Sequence, residues 1–204
     1  PTIDALAESA MRRWNREETI IYNTVQLYRT DRLDYLKSLT SFAKAEKFNV
    51  GVKLVRGAYM EKERARALSL GYPSPIQRDK AATDRDFDAA LEWCVAHLDH
   101  VSLCAGSHNE NSNALLCQNM DKLGIARKDK RVWFAQLLGM SDPISFNLAC
   151  ANYQVAKYVP YGPIAETIPY LIRRAEENTS VAGQTSRELE LIRREKDRRN
   201  RTNN

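Results

Sequence analysis

The sequence lacks any apolar run long enough to cross a membrane, and its opening Pro1-Thr2-Ile3-Asp4 reads as neither a signal nor a transit peptide. Removal of an earlier targeting segment is compatible with that start. There are four cysteines (Cys94, Cys104, Cys117, Cys150) with no CxxC spacing, and three histidines (His97, His100, His108). No metal site is expected from so sparse a set, and free, mostly buried thiols in a reducing compartment are the default. Neither a G-x-G-x-x-G nor a Walker A motif is present, which disfavours a Rossmann or P-loop nucleotide site. No repeat, low-complexity segment or Pro/Gly/Ser-rich linker divides the chain.

What remains is a 204-residue chain, enough for one domain with a sizeable core. Its net charge of +5 is uneven. The tail from Arg187 to Arg201 mixes Arg and Lys with Glu and Asp and reads as a charged terminal helix, residues 186–204, beyond a domain of residues 1–185. No aromatic side chains interleave those charges, so no nucleic-acid partner is expected.

Five short runs read as strands: Ile20-Ile21-Tyr22, Val52–Val55, Val101–Ala105, Val132–Ala135 and Val155–Val159. Between them lie helical patterns over residues 4–16, 31–48, 78–98, 110–123, 144–151 and 163–178. The first carries Ile3, Leu6, Ala7, Ala10 and Met11. The second carries Leu33, Leu36, Leu39, Phe42 and Ala43. The third carries Ala82, Phe87, Ala90, Leu91, Cys94 and Leu98. Strand and helix in alternation predict an α/β fold with a parallel sheet, because parallel neighbours need crossovers.

Nearly every strand runs into polar or unusual chemistry: Asn23-Thr24-Val25-Gln26, Arg56-Gly57-Ala58-Tyr59, Gly106-Ser107-His108-Asn109, Gln136, and Tyr158 before Pro160. Both (β/α)8 barrels and open doubly wound sheets place ligands at the C-terminal ends of their strands. Five strands do not close such a barrel. Either the sheet is open, or about three βα units lie outside this chain.

The run Tyr170-Leu171-Ile172-Arg173-Arg174-Ala175-Glu176-Glu177-Asn178, read as helix, brings Tyr170, Arg173, Arg174 and Glu177 within one turn of each other. Two guanidinium forks beside an aromatic ring and an orienting carboxylate form a receptor for a small carboxylate. The same spacing equally describes a solvated face with ordinary i,i+4 ion pairs.

Taken in order, Asn23–Gln26, Lys53-Leu54-Val55-Arg56-Gly57-Ala58-Tyr59, Ser107-His108-Asn109-Glu110, Gln136-Leu137-Leu138-Gly139-Met140, Lys157–Pro163 and the Tyr170–Asn178 run resemble proline dehydrogenase, in its monofunctional, eukaryotic type. The resemblance runs through residues 1–185. It implies a distorted (βα)8 TIM barrel of which this chain covers strands four to eight. It implies FAD as cofactor, L-proline as substrate, Δ1-pyrroline-5-carboxylate as product and a quinone as electron acceptor. Peripheral membrane association follows, on the matrix side of the mitochondrial inner membrane for a eukaryotic source, and in the cytoplasm or at the membrane for a bacterial one.

By the same resemblance Arg173 and Arg174 clamp the proline carboxylate, Glu177 orients them, Tyr170 packs on the ring, Tyr158 lies near substrate and flavin, and Leu138 lines the apolar side. Lys53, where some relatives have Arg, contacts the flavin ring. Gln26 and Gln136 meet its polar edge, and Val55, Gly57 and Ala58 allow close backbone approach. Thr83 contacts the phosphates, and His108 and Asn109 contact FAD. Asn109 and Ser107 also read as simple helix caps. Pro169 is expected to kink the last helix and help aim Arg173 and Arg174. Two other readings stay open: a hydroxyproline dehydrogenase, or a non-catalytic fragment that needs a partner chain or missing segment to supply the first three strands.

Overall fold

Alternating apolar residues in five short segments build one parallel sheet whose spatial order, β1-β2-β3-β4-β5, is also the chain order. The strands are β1 (Asn23–Gln26), β2 (Val50–Val55), β3 (Val101–Gly106), β4 (Val132–Leu137) and β5 (Val155–Tyr158). The helices are α1 (Thr2–Trp14), α2 (Arg32–Glu46), α3 (Met60–Leu70), α4 (Lys80–Ala96), α5 (Glu110–Lys122), α6 (Asp142–Cys150), α7 (Ile164–Ser180) and α8 (Gln184–Thr202). This computed structural model describes residues 2–180 and 184–202, the side chains of 175–180, 184–188 and 202 excepted. It forms two compact units, residues 1–158 and 159–204. The first holds the sheet and α1 to α6. The second holds α7 and α8, with α8 starting close to the expected onset of the charged tail.

Register sorts the side chains. Val52 pairs with Leu103 and Leu54 with Ala105; Leu103 pairs with Val132 and Ala105 with Phe134. Paired residues of parallel neighbours share a face, and successive residues alternate. Val25, Val50, Val52, Leu54, Leu103, Val132 and Phe134 therefore point one way, and all are fully buried in the core. From the helix side, Leu36, Leu39 and Ala43 of α2, Phe87, Ala90, Leu91 and Cys94 of α4, and Leu116 and Met120 of α5 complete that core. Thr24, Gln26, Lys53, Val55, Cys104, Gly106, Trp133, Ala135, Leu137 and Tyr158 take the other face.

Three expectations need correction. The first strand is Asn23–Gln26, not Ile20–Tyr22. The backbone of Ile20 and Ile21 is held elsewhere: both N–H groups donate to Asn15 Oδ1 at 3.0 and 2.8 Å, and Asn15 Nδ2 donates to the Ile21 carbonyl at 2.8 Å. A buried side-chain amide has replaced the ladder. Secondly, of the apolar residues of α1 only Met11 is buried, while Ile3 and Leu6 are exposed. Thirdly, α3 is an additional helix in the β2–α4 crossover. Only Ala67 of it is buried, so its sequence carries no core-facing period.

Caps set the helix ends nearest the site. Asp79, in extended backbone, accepts from Ala82 N at 2.7 Å and starts α4. Asn109 accepts from Ser112 N at 3.1 Å and starts α5. α3 stops at Gly71 in left-handed backbone.

Candidate functional site at the strand ends

Lys53 sits on β2, an interior strand flanked by β1 and β3, so it is not the charged residue that commonly protects a sheet edge. It points to the face opposite the one packed against α2, α4 and α5. Its Nζ lies 5.0 Å from the ring centroid of Tyr158 on β5. Upright side chains three strands apart on a flat sheet would stand about 14 Å apart. Their approach shows the sheet curling toward this face, as a barrel requires. Gly106 makes room: a Cβ there would lie 3.3 Å from Lys53 Cε and 3.1 Å from Val55 Cγ1. Cys104 shares the face, and burial pushes its thiol pKa up against the opposing charge of Lys53.

The outer side of β1 borders a cavity of about 770 Å³. Ile3, Leu6 and Tyr22 line its apolar part, and Gln26, Arg29 and Glu63 its polar end. At that end Tyr28 donates its hydroxyl to Glu63, and Arg29 NH1 bonds the same carboxylate at 2.8 Å. Burial and the Glu63 contact push the Tyr28 pKa up. These contacts tie α3 to the end of β1.

Arg56, directly after β2, organises three elements. Its Nε donates to Asp84 of α4 at 2.6 Å, NH1 to Ser107 Oγ at 3.0 Å and NH2 to Ser112 Oγ of α5 at 2.9 Å. Its guanidinium lies 4.3 Å over the Phe87 ring. Burial pushes the Asp84 carboxyl up, but hydrogen bonds from Lys80 and Arg56 outweigh it and hold it below the usual carboxylate range. A planar fork with five donors suits this junction, and a lysine would not fill it.

Of the sequence-based candidates, the open face gathers Gln26, Lys53, Val55 and Tyr158. Others are engaged elsewhere. Gln136 has the opposite parity and is 1% exposed. Its Nε2 donates to the Ser107 carbonyl at 3.2 Å, and its Oε1 accepts from Ser145 at 2.9 Å. Both ends of the amide are used in joining β4 to α6. Thr83 is buried, and its hydroxyl donates to the Asp79 carbonyl at 3.3 Å inside α4. The space beside Gly57 (φ 109°) is filled: an added Cβ would fall 1.6 Å from the Tyr28 ring. That glycine is required by protein packing. Ala58 is half-buried just beyond it, and Leu138 is exposed, with its N–H donating to the Tyr158 carbonyl at 2.9 Å. Asn109 is a helix cap, as one of its two readings had it.

His108 lies beside Ser141, with 2.9 Å between Nδ1 and Oγ. Burial lowers its pKa, and the charge of Lys157 adds to that. Nearby Asn113 Oδ1 is buried without a hydrogen-bond partner among the described residues, while its Nδ2 serves the carbonyls of Ser107 and Asn109.

In the second unit, α7 carries Tyr170, Arg173 and Arg174, and runs as helix through Pro169. The Arg174 guanidinium stands 5.1 Å from the Tyr170 ring centroid, a cation–π contact. Both arginines are partly buried. The side chain of Glu177 lies outside the described residues. Sequence reasoning missed Arg56 and Ser141 as working residues. Arg56 could have been found as an arginine fixed to a strand end, and Ser141 as the residue before Asp142-Pro143 at a helix start.

The parallel α/β sheet is shared with proteins of one known family. The Proline dehydrogenase family pattern matches residues 1–187. "Proline dehydrogenase 1, mitochondrial" of Homo sapiens is 42% identical over 100% of this chain and 34% of its own length. "Hydroxyproline dehydrogenase" of Xenopus laevis is 39% identical over 98% of this chain and 44% of its own. A crystal structure of proline utilization A from Bdellovibrio bacteriovorus, inactivated by N-propargylglycine, matches 89% of this chain and 19% of that one, with a TM-score of 0.81 and 28% identity. The chain thus spans well under half the length of these relatives, and its sheet is a segment of a TIM-barrel fold. On the match over residues 1–187 it belongs to the proline dehydrogenase family.

Proposed function

We propose that the protein carries out FAD-dependent oxidation of L-proline to Δ1-pyrroline-5-carboxylate, with electrons passed on to a quinone. The observation that carries this reading is Lys53, held on an interior strand, turned to the face opposite the helix-packed core and lying against Tyr158. The residues fit a flavin in part. Lys53 offers a cation and Gln26 an amide, Gly106 leaves room, and the buried Asn113 Oδ1 calls for a donor such as a ribose hydroxyl. Gln136, Thr83 and Gly57 are committed to the protein and supply nothing to that fit.

FAD held there would supply the hydride acceptor for the carbon next to the ring nitrogen, and the nitrogen would give up its proton as the C=N bond forms. Lys53 stabilises negative charge developing near it. The forks of Arg173 and Arg174 hold the substrate carboxylate and so fix the reacting carbon; placement is a large share of what the protein contributes. Tyr170, under Arg174, packs on the substrate ring, and Glu177 orients the pair. The amine must be neutral to react, and no side chain is assigned as its base.

A mitochondrial location follows the names of the human and Drosophila melanogaster relatives, and the inner-membrane matrix face suits a quinone acceptor. No helix among the described residues is long and apolar enough to cross a membrane; peripheral association with that face is part of the same proposal. The remaining strands of the barrel would come from a partner chain or from a segment outside this one. Relatives named hydroxyproline dehydrogenase, at 39% and 40% identity, support hydroxyproline as the alternative substrate.

The test is the visible spectrum of the purified protein, followed by L-proline without oxygen. A flavin spectrum bleached by L-proline but not D-proline is expected. Bleaching by hydroxyproline alone moves the assignment to the alternative. Flavin that neither bleaches overturns both readings, and protein without flavin means a further segment must complete the site.

A further inference from the structure

The chain between β2 and α4 makes a closed excursion at the strand ends. It leaves where the Tyr28 N–H donates to the Arg56 carbonyl at 2.7 Å, and it returns where the Gln77 N–H donates to the Tyr28 carbonyl at 2.7 Å. Beside this neck Thr30 N bonds the Pro75 carbonyl at 2.9 Å, and Arg29 and Ile76 form an isolated antiparallel bridge. Tyr28 thus closes the neck from both sides, and its ring fills the space beside Gly57. Residues 57–76, α3 among them, lie beyond it.

Little apolar packing holds that excursion down. Between Gly57 and Pro75 only Ala67 is buried, while Leu68 and Leu70 are 86% and 63% exposed. Polar grips in the first half of α3 stand in for a core. Glu63 accepts from the Tyr28 hydroxyl, and from Arg29 NH1 at 2.8 Å. Arg64 NH2 donates to the Gln77 carbonyl at 3.0 Å, back at the neck. A segment that buries so little exposes little when it lifts, so a few bonds set how often it opens. Its location gives that opening a use. Glu63 and Gln26 line the same cavity, and Gly57 follows closely on β2, which carries Lys53 and Val55 on the open face.

We propose that residues 58–75 form a lid over the ends of β1 and β2, latched by the Glu63 carboxylate on Tyr28 and Arg29, and that its opening sets how fast a ligand enters and leaves the open face. Glu63 and Tyr28 are positioning residues in this role: they hold the lid and touch no ligand. The lid and its latch stand on the contacts just described. The choice of FAD as the ligand that is gated rests on the function proposed above.

Two measurements on the full chain test it. Native-state hydrogen exchange reads the lid without flavin. Amides of α3 should exchange through a local opening that low urea does not change, while those of β3 wait for global unfolding. Y28F keeps the ring against Gly57 and removes the hydroxyl; E63Q removes the charge. Each should speed α3 exchange about tenfold, the scale of one hydrogen bond to a charged group. L103A, which weakens the core, should speed β3 and leave α3 at its wild-type rate. Stopped-flow flavin fluorescence then reads the gate. Y28F and E63Q should raise the association and dissociation rates of FAD together, by about the same tenfold, with Kd near wild type, because a gate changes the barrier and not the bound complex. Wild-type α3 amides as protected as those of β3, α3 exchange that follows L103A, or exchange unmoved by both Y28F and E63Q overturns the lid. A weaker Kd at an unchanged association rate makes Glu63 a ligand contact and overturns the gate. The expected exchange with unchanged FAD rates upholds the lid and overturns the gate. The expected exchange with no FAD binding by any form does the same, and overturns the cofactor reading with it.

Discussion

On the helix-covered face of the sheet Val52, Leu54, Leu103, Val132 and Phe134 are sealed from solvent, whereas Lys53, Val55, Cys104, Gly106 and Trp133, alternating with them, stay partly open. The two sets share the same backbone and the same hydrogen bonds. They differ only in which way a two-residue period turns them. Stability is concentrated on one face, which frees the other to hold a cation and a glycine that a core would not tolerate. The ends of the strands mix the two roles, and there the assignment of a residue has to be argued one at a time.

The sharpest way to break this contrast is a pair of neighbours on β3. Leu103→Ala should cost about 3 kcal/mol, as for buried leucines generally, while Cys104→Ala should cost less than about 1 kcal/mol. Urea unfolding measures both, and equal losses would mean the open face is part of the core. Gly57→Ala tests a strand end whose glycine is assigned to packing. With the Tyr28 ring in the way and φ positive, about 2 kcal/mol of destabilisation is expected. A neutral result would return that glycine to the ligand.

Asn109→Ala removes the cap of α5 and should cost about 1 kcal/mol, read by the same unfolding curves. Asp84→Asn separates charge from shape at the Arg56 junction. Asp84 is held below its ordinary pKa of 3.8, so its contribution is present above that pH and fades as the pH falls through the lower folded value. The variant should lose that part of the acid-side slope in stability. Lys53→Met should move stability least, within about 0.5 kcal/mol, yet abolish bleaching of the flavin by L-proline. A large stability loss instead would make Lys53 a structural residue.

The sequence was legible where one periodicity governed. The α4 face from Ala82 to Leu98 and strands β2, β3 and β4 emerged close to their observed limits, because each buries a regular apolar set, and β5 emerged as well although none of its residues is fully buried. The first strand misled, because Ile20 and Ile21 look like strand residues while Asn15, five positions back, holds their amides. α1 misled because Ile3 and Leu6 have helical spacing without anything in this chain to cover them. At the site, Gln26 and Tyr158 could be read from their positions at strand ends, and Lys53 only from the family resemblance. Gln136 could not be separated from them, since one residue of register decides which face it meets. Ser141 left no periodic trace at all. Its hydroxyl meets a histidine 33 positions away.

Strand order has a consequence for how the chain acquires its shape. Each new strand is laid beside the one made just before it, so within residues 23–158 each strand pairs with its predecessor in sequence, and this part of the sheet can grow in the direction of synthesis. The crossovers are unequal. Between β2 and β3 the chain threads two helices, α3 and α4, where the other strand-to-strand crossovers hold one. Ring closure is dearest there, though only by a fraction of a kcal/mol, about 0.6 for each doubling of length. The step that joins β2 to β3 therefore carries the largest closure cost of the four crossovers, and a nascent chain released before residue 106 would carry β1 and β2 without the strand that completes their core.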